Sequence, residues 1–220
     1  TQSLVAKGKT FENSLKLKNP LGPESEYLRT TLLSSLIEAA EANAHEKEPF
    51  HLFEMANVYI PRTNDLPDEK MTLAGIFANT QFREGKGIIE SLLNELNIKV
   101  EFVQEELKDF IPGQRVAIKV NKKTIGQLGN LEDESFIYYE FDMDTLNKLS
   151  KNIKKYTPIP QNPPQIEDLT LTFPPKTKIG KVIQSIKSAD GLIANTELKD
   201  IYKDSYTFRV WYQHPEKTLT

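Results

Sequence analysis

Arg209 and Trp211, two residues apart near the end of the chain, are the pair best suited to recognition chemistry. In an extended strand, residues two apart face the same side. A guanidinium and an indole on an open sheet suit phosphate contact and base stacking, which makes RNA the ligand class to test. Thr170 and Thr172 of another predicted strand share that face. A covering strand or protein partner would account for the same exposed tryptophan, and both readings stand. Lys181 and Lys217 are the further cations assigned to an RNA surface.

Other constellations are weaker. Glu54 sits on a predicted half-buried strand, where a polar partner is preferred to a catalytic role. Asp142 and Asp144 at a strand end could hold magnesium, but a helix cap and a turn are preferred, with Asp144 as the cap. Gly126 and Gly129 have no arginine near them in the sequence, the next being Arg209, so strand bends or close packing explain them best. His45, His51 and His214 share no ligand spacing. Cysteine is absent, which excludes disulfides and thiolate metal sites and fits a reducing, cytoplasmic setting. There is no P-loop, no Gly-x-Ser-x-Gly elbow and no His-Glu-x-x-His. No membrane-length apolar run and no signal peptide are evident.

These residues need elements to hold them. Apolar spacing predicts a helix over 27–44, opened by Ser25, and another over 84–97 with Ile88, Ile89, Leu92, Leu93 and Leu96 on one face. Strands are expected at 51–60 (bounded by Pro49 and Pro61), 71–78, 98–103, 115–120, 124–131 and 136–143, with a polar loop over 63–70. Asn121-Lys122-Lys123 is a hairpin link, and a short helix should run to about 152. This is a mixed, mainly antiparallel α+β unit. Its two helix faces either pack on the sheet or meet a partner.

A boundary falls at 151–164, where Pro158, Pro160, Pro163 and Pro164 withhold backbone donors and favour extended linker. Beyond it the pattern reads strand 168–173, helix 179–189, strand 192–202, strand 206–213. That β-α-β-β order is most of a ferredoxin-like unit. The expected domains are 1–150, linker 151–164, and 165–220, the last truncated at its C-terminus. Charge is uneven: residues 1–150 carry 17 Lys+Arg against 24 Asp+Glu, and residues 151–220 carry 11 against 7. The acidic body is the better protein-contacting part and the basic tail the better nucleic-acid face.

Five motifs in order resemble the phenylalanyl-tRNA synthetase beta-subunit family. Leu28-Arg29-Thr30-Thr31-Leu32-Leu33 is similar to the family's Leu-Arg-Thr-Ser-Leu-Leu, with Ser34-Ser35 in place of Pro-Gly. Phe53-Glu54-Met55-Ala56 resembles Phe-Glu-Ile-Gly. Phe82 with Glu84-Gly85-Lys86-Gly87 resembles Phe-Phe-Asp-Ala-Lys-Gly, with Arg83 in place of the second Phe. Ile125-Gly126-Gln127-Leu128-Gly129-Asn130-Leu131 resembles Ile-Gly-x-Leu-Gly-Glu-Leu, with Glu132-Asp133 in place of His-Pro. Gln213-His214-Pro215-Glu216-Lys217-Thr218-Leu219-Thr220 resembles the close of the family's anticodon-binding domain.

The resemblance implies a class II synthetase-like sheet that lacks the ATP-gripping arginines of the catalytic subunits. It implies a non-catalytic segment with no cofactor of its own, serving a complex that uses ATP and magnesium. The implied partners are the catalytic alpha subunit, in an alpha2 beta2 tetramer, and tRNA(Phe), whose anticodon stem the tail would hold. The alternative is a free-standing RNA- or protein-binding module that reuses the fold. Glu167-Asp168-Leu169 departs from the family's Arg-Asp-Leu, a charge reversal that Lys176, Lys178 and Lys181 could offset.

Overall fold

A computed structural model describes residues 14–22, 26–106, 110–132, 136–150, 156, 158–175 and 177–219. The expected Ser25 cap, Lys176, and residues 151–155 and 157 of the linker lie outside them. The chain divides into two units, Thr1–Lys154 and Lys155–Thr220.

The first unit is a sheet of six antiparallel strands in the order β1-β2-β6-β5-β4-β3. The strands are β1 (Phe50–Arg62), β2 (Asp65–Ala78), β3 (Glu101–Gln104), β4 (Phe110–Val120), β5 (Lys123–Leu131) and β6 (Phe136–Asp142). Among the described residues three helices flank it: α1 (Leu33–Ala42), α2 (Phe82–Glu95) and α3 (Met143–Leu149).

The period of the apolar residues decides which face each helix covers. Leu36, Ile37 and Ala40 of α1 join Val58, Ala74, Ile76 and Tyr138 in one core. Ile89 and Leu93 of α2, with Leu146 of α3, join Phe77, Leu128, Ile137 and Phe141 in another. Each fully buried Leu, Ile or Phe contributes roughly 1.5–3 kcal/mol. Both helix faces therefore serve the sheet, although Ile88 is left exposed.

Four local expectations change. The first helix starts at Leu33, not near 27, because Leu28 N–H donates to Leu15 O and Leu17 N–H to Glu26 O, tying that stretch into a short antiparallel bridge. Pro61 lies inside β1 rather than ending it: the strand is at the sheet edge and the register shifts there, where a missing N–H costs no ladder bond. The expected 63–70 loop is mostly strand, since Asn64, with φ 59°, makes a tight turn into β2. Asp142, not Asp144, caps α3 by accepting from Thr145 N–H at 2.6 Å. The β4–β5 hairpin is as expected, with Asn121 and Lys122 both left-handed.

The second unit runs β7 (Gln165–Thr172), α4 (Ile179–Ala189), β8 (Ile193–Tyr202), β9 (Ser205–Tyr212). Its sheet is antiparallel in the order β7-β9-β8. Phe208 and Val210 of the middle strand are fully buried on the side that α4 covers, with Phe173 edge-on to Phe208.

Candidate nucleic-acid interface

Alternation along β9 turns Thr207, Arg209 and Trp211 away from buried Phe208 and Val210. The register lines Ile166, Asp168, Thr170 and Thr172 of β7 beside Trp211, Arg209, Thr207 and Ser205. On the other flank, β8 sets Asn195 beside Trp211 and Glu197 beside Arg209.

Arg209 is not a loose cation. Its Nε donates to Asp168 Oδ1 at 2.8 Å and its Nη2 to Asp168 Oδ2 at 3.0 Å, a two-pronged clasp. Lys199 Nζ reaches the same carboxylate at 2.6 Å. The Arg209 hydrogen bonds, then those of Lys199, hold the Asp168 carboxyl well below the usual carboxylate range. Hydroxyl pairs continue the row, Thr170 to Thr207 at 3.0 Å and Thr172 to Ser205 at 3.5 Å. Exposed Ile166 and half-buried Trp211 make its apolar end.

The four residues assigned to RNA are not one cluster. Arg209 and Trp211 share the open face. Lys181 is on α4, which covers the other face, at the rim of an apolar groove of about 640 Å³ that also involves Leu171, Phe173, Val182 and Ile186. Lys217 is exposed in the segment after β9. Glu167 stands opposite buried Val210 and binds Gln165 Nε2 at 2.9 Å. Its charge reversal therefore falls on the helix side, away from Arg209. The sequence pointed to Arg209 and Trp211 by alternation, but missed Asp168 and Lys199. No local signal marks the pairing of Asp168 with Arg209, 41 positions away, or with Lys199, 31 positions away.

In the first unit the polar residues singled out in the sequence meet each other. Arg29 Nη1 donates to Glu54 Oε1 at 2.7 Å, Ser35 Oγ donates to Glu54 Oε2 at 3.2 Å, and Arg29 Nε reaches Asn57 O. Glu54 is thus a polar partner fastening β1 to the segment before α1. Asp142 is engaged as a cap. Among the described residues no group of three or more His, Asp or Glu is placed to hold a metal ion.

The glycines of β5 are there for close approach. A Cβ at Gly126 would lie 2.6 Å from Glu140 O and clash with the Phe141 ring; one at Gly129 would lie 2.5 Å from Phe110. An arginine does stand near them, correcting the sequence reading: the register puts Arg115 directly across from Gly129. Its buried guanidinium donates through Nη2 to Gln127 Oε1 at 3.0 Å and through Nη1 to Glu105 O at 3.4 Å, and Phe110 lies 5.7 Å away. These contacts turn it to structural use.

His51 stacks on Phe77 with centroids 4.2 Å apart, and its Nε2 is 2.9 Å from the Tyr139 hydroxyl. Burial lowers the His51 pKa and pushes that of Tyr139 up to about 12. Beside this cluster on the edge strand, Phe53 and Met55 are 66% and 58% exposed.

Comparison with known proteins supplies kinship. The family model described as the phenylalanyl-tRNA synthetase beta chain CLM domain matches residues 2–146. The phenylalanine–tRNA ligase beta subunit of Clostridium tetani is 31% identical over 99% of this chain and 30% of that protein. That of Clostridium acetobutylicum is 30% identical with the same coverage. The chain thus spans about 30% of the length of the curated relatives it matches. Among solved structures, a pyrrolysyl-tRNA synthetase from Desulfitobacterium hafniense is similar over 70% of this chain and 62% of its own, at a TM-score of 0.49 and 16% identity, a likeness that supports no functional argument. No described helix is long and apolar enough to cross a membrane.

Proposed function

The chain belongs to the phenylalanyl-tRNA synthetase beta chain family, and on that premise we propose that it is a non-catalytic beta-subunit segment that docks the catalytic alpha subunit and holds its tRNA. The match of the family model over 2–146 carries this reading. In it, the first unit is the catalytic-like module. The second, with its strand order β7-β9-β8 and intervening helix, is a ferredoxin-like unit that holds the anticodon stem of tRNA(Phe). The complex, an alpha2 beta2 tetramer in the cytoplasm, joins phenylalanine to its tRNA with ATP and magnesium.

Two features support the division of labour. The edge strand β1 presents Phe53 and Met55 to solvent, and between Phe50 and Tyr59 it carries no Lys or Pro of the kind that guards exposed edges. Large apolar side chains exposed on an edge strand suit a protein partner. Of the four arginines of the first unit, Arg29 is bonded to Glu54, Arg115 to Gln127 and Arg62 to Asp68.

The test is co-expression with a family alpha subunit, followed by affinity capture and size-exclusion chromatography. Stoichiometric co-elution, weakened by Phe53→Asp, is the expected result. A chain that stays alone but binds RNA would be a free-standing module. Saturable binding of ATP and phenylalanine by the chain itself would overturn the non-catalytic assignment.

A further inference from the structure

We propose that Asp168 is a positioning residue for RNA recognition, locking Arg209 beside Trp211 so that the open face of the β7-β9-β8 sheet receives an unpaired base rather than a phosphate. The inference rests on reading that face as the RNA surface.

The charge pattern of the face argues against a phosphate. Arg209 and Lys199 are both spent on Asp168, and Glu197 stands directly across from Arg209 on β8. The two cations are matched by two carboxylates. An incoming phosphate would gain little attraction and meet two negative groups. A neutral base meets no such repulsion.

The geometry of the clasp favours a base. A guanidinium has five N–H donors in a rigid plane. Two are taken by Asp168, and the rest are held in a fixed orientation. Fixed donors match a planar edge of acceptors, as in bidentate base readout. One step of the strand alternation away, Trp211 lies between Ile166 and Asn195 in the register. That provides an apolar stacking surface with an amide at its rim. One step the other way lies the Thr170–Thr207 hydroxyl pair, which can donate or accept. Without Asp168 the Arg209 side chain would be free to swing, and its donors would no longer be pre-arranged against a stacked base.

Trp211 is the only tryptophan in the chain, so its fluorescence reports on this face directly. The full chain is titrated with a short unstructured single-stranded RNA, following quenching of Trp211, at two salt concentrations. Trp211→Ala, followed by anisotropy of labelled RNA, should weaken binding roughly tenfold, as expected for a lost stack. Asp168→Asn should weaken binding several-fold although it removes a negative charge, and Arg209→Lys should do the same because an ammonium cannot make the two-pronged clasp. The salt dependence should be shallow, close to that of about one phosphate contact or fewer. A merely electrostatic role predicts the opposite sign, with Asp168→Asn binding more tightly. If Asp168→Asn binds more tightly, or unchanged, while Trp211→Ala weakens binding, the face binds RNA but Asp168 does not position Arg209. If Trp211→Ala and Arg209→Ala both leave binding intact, the RNA surface is elsewhere and the proposal falls with it. Thermal melts of each variant separate loss of fold from loss of fit, and Asp168→Glu, which keeps the carboxylate, should recover part of the affinity.

Discussion

The two units use an antiparallel sheet in opposite ways. In the first, six strands are covered on both faces, and glycines let aromatic rings lie flat on the backbone, Tyr139 over Gly75 and Phe141 over Gly126. In the second, among the described residues, three strands carry one helix, α4 has no fully buried residue, and only Thr196, Phe208 and Val210 are buried. A sheet packed on both sides has little freedom to receive a ligand on its surface. A sheet packed on one side has a whole face free for contacts. The difference fits the proposed division between a body that docks a protein and a module that faces RNA.

The contrast can be broken most sharply at Phe208. Truncating a buried phenylalanine costs about 3–5 kcal/mol, a large share of what so thin a core can supply. Phe208→Ala is expected to melt the second unit while the first stays folded, seen as loss of hydrogen-exchange protection confined to 165–212. Simultaneous loss of protection across β5 and β6 would mean that the units fold as one.

Glycine substitutions sharpen the contrast with a smaller effect. Gly126→Ala drives a methyl group into Phe141 and Glu140 O, an overpacking cost of about 1–3 kcal/mol. Gly180→Ala in α4 meets nothing within 4 Å and should be neutral or stabilising, by up to about 1 kcal/mol. Paired denaturant titrations compare the two; equal costs would show that packing density does not distinguish the units.

Acid should separate them too, by the smallest of these effects. His51 is disfavoured as a cation in the folded first unit, where it faces Tyr139, Phe77 and Phe53. The unfolded chain therefore binds the proton first, and stability falls as pH drops below about 6.5. Asp168 works at lower pH. Its folded pKa is depressed, so its contribution is present above the usual carboxylate value and is lost only as pH falls below about 4. Melting each unit from pH 7 to 3 should show the first weakening earlier, and His51→Phe should remove that early step. An unchanged profile in His51→Phe would assign it to another group.

Much of this was legible in the chain. Apolar spacing over 84–97 and 179–189 marks α2 and α4 to within two residues, since an amphipathic stripe is local and periodic. Asn121-Lys122 marks the β4–β5 hairpin because its neighbours are strand and Asn tolerates the left-handed region. The start of α1 was misread because Leu28 fits a helical stripe equally well, and only its bond to Leu15 O gives it to the bridge. Residues 63–70 read as loop because they are polar, yet an edge hairpin exposed on both sides can be polar and still pair.

The candidate site divides along the same line. Chain order and residue type by themselves determined that Arg209 and Trp211 would share a strand face and that Glu54 would lie on a strand, because backbone alternation is set by adjacent residues. Tertiary structure alone decided that Asp168, 41 positions earlier, takes up two of Arg209's donors, that Arg29 closes on Glu54 from 25 positions away, and that Arg115 faces Gly129. Those pairings depend on strand order and register, which are fixed by how whole faces pack, and no short stretch of residues carries that information.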